Sequence, residues 1–160
     1  MTSNKQMPRV IKFELHEHGW ASAEINVGGA RIVVRASFII DSITGMAESL
    51  LSACRGENEV EWVYFSEPGA THVIFESSQS RLTILQSDND FKFPRPKAGY
   101  RTRVLAQGTV ELKDLINDAI NIGSGLIGLY GEAGYKERWR SNYPRKEIEM
   151  LKQLRRDKAF

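Results

Sequence analysis

Gly123-Ser-Gly125-Leu-Ile-Gly128 repeats the G-x-G-x-x-G spacing that cradles a dinucleotide pyrophosphate. That chemistry needs a strand before the first glycine and a helix starting at it, so that backbone amides meet the phosphates. Here Leu112, Leu115, Ile116, Ala119 and Ile122 precede the motif with helical periodicity. The spacing therefore reads as a helix with small residues for close packing or a kink, and no cofactor is expected. His16 and His18 project to one side of a strand, and with His72 they would make a three-imidazole zinc site. Both early histidines flank a turn, and no carboxylate is evidently placed behind them, so no metal is expected. The chain has neither a G-x-S-x-G elbow nor an H-E-x-x-H helix. Glu59, Glu61 and Glu67 cluster around a strand carrying Trp62 and Tyr64, the pattern of a solvated sheet face. No catalytic residue is assigned; an enzyme whose residues assemble only in space stays as an alternative.

Basic residues interleaved with aromatics carry more. Phe91, Lys92, Phe93, Arg95, Lys97, Tyr100, Arg101 and Arg103 combine stackable rings with phosphate-binding charge. Near the C-terminus Lys152, Arg155 and Arg156 fall at i, i+3 and i+4, with Lys158 to one side. Loop and helix together would track a nucleic-acid backbone. The charge is uneven: residues 136–160 hold nine Lys or Arg against four Asp or Glu, a balance of +5, which leaves −3 for the rest of a chain of net charge +2.

These residues need a scaffold, and hairpin registers that put apolar side chains on one face describe it. Gly28-Gly29 is a two-residue hairpin turn. It pairs Ile25 with Ile32, Ala23 with Val34 and Ala21 with Ala36. A three-residue loop at Glu17-His18-Gly19 pairs Ile11 with Ile25, Phe13 with Ala23 and Leu15 with Ala21, and sets Lys12 against Glu24. Residues 10–36 thus read as a three-stranded meander. Ile43, Met46, Ala47, Leu50, Leu51 and Cys54 mark an amphipathic helix over roughly 38–54, with Gly56 as its stop. Cys54 lies on the apolar stripe, where it fills space.

A second meander turns at Glu67-Pro68-Gly69-Ala70 in type II geometry, pairing Trp62 with Phe75 and Tyr64 with Val73. A tight turn at Ser78-Gln79 pairs Phe75 with Leu82, Val73 with Ile84 and Glu76 with Arg81. A last strand at about 100–107 leads into a long helical pattern broken by Gly131 and Gly134. Pro144 then opens a basic final helix, 144–160. The order β-β-β-α-β-β-β-β-α-α describes one α+β domain, 1–160. Its antiparallel sheet has about seven strands, with helices packed mainly on one face, behind a disordered tail at 1–8. On the second meander Val63, Phe65, Ile74 and Leu85 share the face opposite Trp62, Tyr64 and Phe75, and His72 joins them. If the C-terminal helix does not cover this apolar outer face, it is a partner site.

With 160 residues, 41% hydrophobic and 26% charged, the chain suits one independent core. A single cysteine, no signal-like apolar start and no membrane-length apolar run make a cytoplasmic location the expectation. Trp62, Glu67, Pro68 and Gly69, with Gly19-Trp20, resemble small bacterial α+β proteins in which two strands flank an acidic Pro-Gly turn. Some proteins of this kind are immunity proteins, which neutralise a cognate secreted toxin. The resemblance implies a non-enzymatic protein-interaction domain with another protein as its partner. Nucleic-acid binding is the alternative, and a homodimer is open.

Overall fold

A computed structural model describes residues 9–88 and 102–158. The first meander forms as its pattern predicts. Strands β1 (Ile11–Leu15), β2 (Trp20–Val27) and β3 (Ala30–Ser37) pair Ile11 with Ile25, Phe13 with Ala23 and Lys12 with Glu24, then Ile25 with Ile32 and Ala23 with Val34. Gly28 and Gly29 both take positive φ, 58° and 78°, as a primed two-residue turn demands. Helix α1 spans Ser42–Cys54. It starts later than the apolar pattern suggests because Asp41 caps it, its carboxylate accepting the Thr44 amide at 3.2 Å.

The second meander comprises β4 (Glu59–Phe65), β5 (Ala70–Glu76), β6 (Arg81–Ser87) and β7 (Thr102–Thr109). The β5–β6 register is the expected one, Phe75 with Leu82 and Glu76 with Arg81. The β4–β5 register is not: Trp62 faces Val73 and Val60 faces Phe75, two residues from expectation. The turn encloses four residues, 66–69, rather than closing between Glu67 and Ala70. Glu67 sits at φ 50°, the Ser66 amide donates to Gly69 O at 2.9 Å, and the Ser66 hydroxyl donates to Arg35 O on β3 at 2.8 Å. Ser66 is thus drawn out of the ladder. A shift of two preserves each residue's face.

Helix α2 (Leu112–Trp139) is interrupted at Gly131, φ 66°, and Gly134 lies within its last turns rather than breaking it. Helix α3 spans Arg145–Lys158. The chain is α+β and its strands are antiparallel throughout, but the seven divide into two sheets, β1-β2-β3 and β4-β5-β6-β7. The sheets meet at both ends of β3. At one end a Cβ on Gly28 would lie 2.2 Å from the Gln107 carbonyl oxygen of β7, so only glycine fits there. At the other end β3 holds Ser66, just past β4. The second hairpin therefore runs across the four-stranded sheet from its β7 edge to its β4 edge.

Inner faces of both sheets enter one core. Phe13 of β1 stacks on Tyr64 of β4 at 6.2 Å and meets Trp139 edge-on at 5.5 Å. Trp62, Tyr64, Phe75, Tyr135 and Trp139 are fully buried. Each such ring contributes on the order of 4 kcal/mol by area. Helix α1 packs along β4, α2 on β1, and α3 on α1 and α2. Among the described residues no helix is long and apolar enough to cross a membrane.

Candidate functional site

The outer face of the second meander is not an open surface. Val63, His72 and Ile74 are buried within the chain, while Phe65 and Leu85 are half-buried. At its centre three strands contribute one hydrogen-bonded chain: Glu61 Oε2 lies 3.2 Å from His72 Nδ1, and His72 Nε2 lies 2.9 Å from Ser87 Oγ. A carboxylate only accepts, so Nδ1 carries the proton toward Glu61 and Nε2 accepts from the serine hydroxyl. That is the atom order of a nucleophile–base–orienter triad. Yet Ser87 is 1% exposed and sits in mid-sheet, opposite Ala70 on β5 and Thr102 on β7. A nucleophile closed off from substrate does no acyl transfer. The arrangement works as a buried polar tie across β4, β5 and β6.

The other sequence candidates are dispersed. His16 bonds Ser22 Oγ at 2.6 Å on the first sheet, far along the fold from His72 on β5, and His18 is exposed. Among the described residues no three His, Cys, Asp or Glu side chains form a metal-binding group. The G-x-G-x-x-G run lies inside α2. A Cβ on Gly123 would come within 3.0 Å of the Tyr143 hydroxyl, so this glycine allows close packing against the segment entering α3. Burial pushes the Cys54 thiol above its usual range, away from nucleophilic use.

Lys92, Arg95 and Arg101 lie outside the described residues. Arg103 bonds Gln86 at 2.9 Å on β7. On α3 two of the basic residues reach neighbouring helices and two pair within the helix. Arg155 reaches Asn117 of α2 at 3.1 Å, Lys158 reaches Cys54 O at the end of α1 at 3.2 Å, Lys152 pairs with Glu149 at 3.1 Å and Arg156 with Gln153 at 2.6 Å.

Open space is found instead beside α1. A groove of about 570 Å³ runs between α1 and β4, lined by Ile39, Ile40 and Val63 among apolar residues and by Asp41, Glu48, Glu57, Glu59 and Glu61 among acids. Among the described residues no Lys, Arg or His lines it. Ser49 of α1 donates to Glu61 O at 2.8 Å, so the helix covers the outermost strand's backbone; Glu48 and Glu57 stand exposed, while the Glu61 carboxylate is held by His72. No known protein family, curated protein or solved structure matches this chain. A larger groove, about 1150 Å³, lies between the β2–β3 turn and α2, with Arg9, Lys12 and Arg31 facing Glu111, Asp114 and Asp118. Its charges are mixed. Asp118 is already engaged there: its Oδ2 accepts the Ile11 amide at 2.9 Å. Burial raises its carboxyl to about 6, opposed by the amides of Ile11 and Val10 and by Arg9.

Sequence reasoning placed His72 on the outer face but missed Glu61 and Ser87 as its partners. It also missed the acid groove, whose walls come from α1 and β4. The mild acidity of the chain before residue 136 bore on it, as did Glu59 and Glu61, which the pattern had assigned to a solvated sheet face.

Proposed function

We propose that this chain is a non-enzymatic protein-interaction domain whose partner enters the groove between α1 and β4. The observation that supports this is the groove itself, open and lined by acidic residues with no cation among the described residues that line it. Glu48 and Glu57 stand exposed on it. Burial of Val63, His72 and Ile74 moves the contact away from the outer sheet face toward this groove. The resemblance to small bacterial immunity proteins extends the reading to neutralisation of a cognate toxin in the cytoplasm. The test is affinity capture from the native host by the full chain and by its Glu48→Lys/Glu57→Lys variant. The expected outcome is a protein retained by the first and lost by the second; equal retention, or none by either, counts against the reading. A second copy as the occupant would appear in light scattering as a dimer that the same variant abolishes.

A further inference from the structure

We draw no further inference here: the strongest candidate, the groove of about 1150 Å³ between the β2–β3 turn and α2, mixes Arg9, Lys12 and Arg31 with Glu111, Asp114 and Asp118, and its buried carboxylate, Asp118, is already engaged by the Ile11 amide, so nothing among the described residues points to a ligand there.

Discussion

Each sheet is tied down by one buried polar device, and the two devices are built differently. On the first sheet Asp118 of α2 accepts backbone amides at the start of β1, so a single charge is held chiefly by neutral dipoles, with Arg9 adding to them. On the second sheet Glu61, His72 and Ser87 hold one another, so each polar side chain finds its complement in another. In the first case burial outweighs the hydrogen bonds, and the carboxyl rises to about 6. In the second the ring supplies a donor to the acid and an acceptor to the hydroxyl. One device makes stability depend on pH; the other makes it depend on a side chain that cannot be replaced by an apolar one of similar size.

Breaking the second device should do most. His72→Leu removes the shared partner of two buried groups, and urea denaturation should report a loss of about 3 kcal/mol. The first device is best tested through its titration. The folded-state carboxyl of Asp118, near 6, lies above its unfolded value of about 3.9. Its contribution is therefore complete below the unfolded value and is lost as pH rises through about 6. Asp118→Asn keeps an oxygen for the Ile11 amide without the ionisation. Between pH 4 and pH 7 the unaltered chain should lose about 2 kcal/mol relative to this variant. A flat difference between the two pH values would show that the carboxyl is not desolvated as its burial implies. The smallest effect belongs to Ser87→Ala, which leaves Glu61 and His72 paired and should cost about 1 kcal/mol.

The same two sheets differ in how far the sequence discloses them. In the first meander Gly28-Gly29 and the loop at Gly19 pin both registers, and every pairing follows from the apolar alternation. In the second, Pro68 and Gly69 mark a turn correctly, but the withdrawal of Ser66 toward Arg35 depends on β3, which the local sequence does not contain. The two-residue slip has a chemical consequence. It places Val63 opposite His72, and Ile74 rather than Glu76 opposite Glu61. In the expected register Glu61 stands further from His72, and the polar tie cannot be seen. Glu61, His72 and Ser87 nevertheless lie on one face in either register, so asking which polar residues share the outer face would have brought them together. The acid groove was beyond such reasoning, because α1 and β4 are apposed by the core they both cover. The meeting of the two sheets, with Gly28 against Gln107, is likewise a contact between distant parts of the chain.

Asp41 and Trp139 bear on how the molecule is made. One carboxylate caps α1 and holds the indole at the end of α2, 98 residues later, and Ile11 waits 107 residues for Asp118. During synthesis the first meander and α1 emerge long before the groups that complete them. Their closure belongs to the last stage of folding, the slow step expected of long-range contacts. Until α2 has left the ribosome, the nascent chain exposes an unfinished core, and that interval is when it is most open to aggregation or to chaperones.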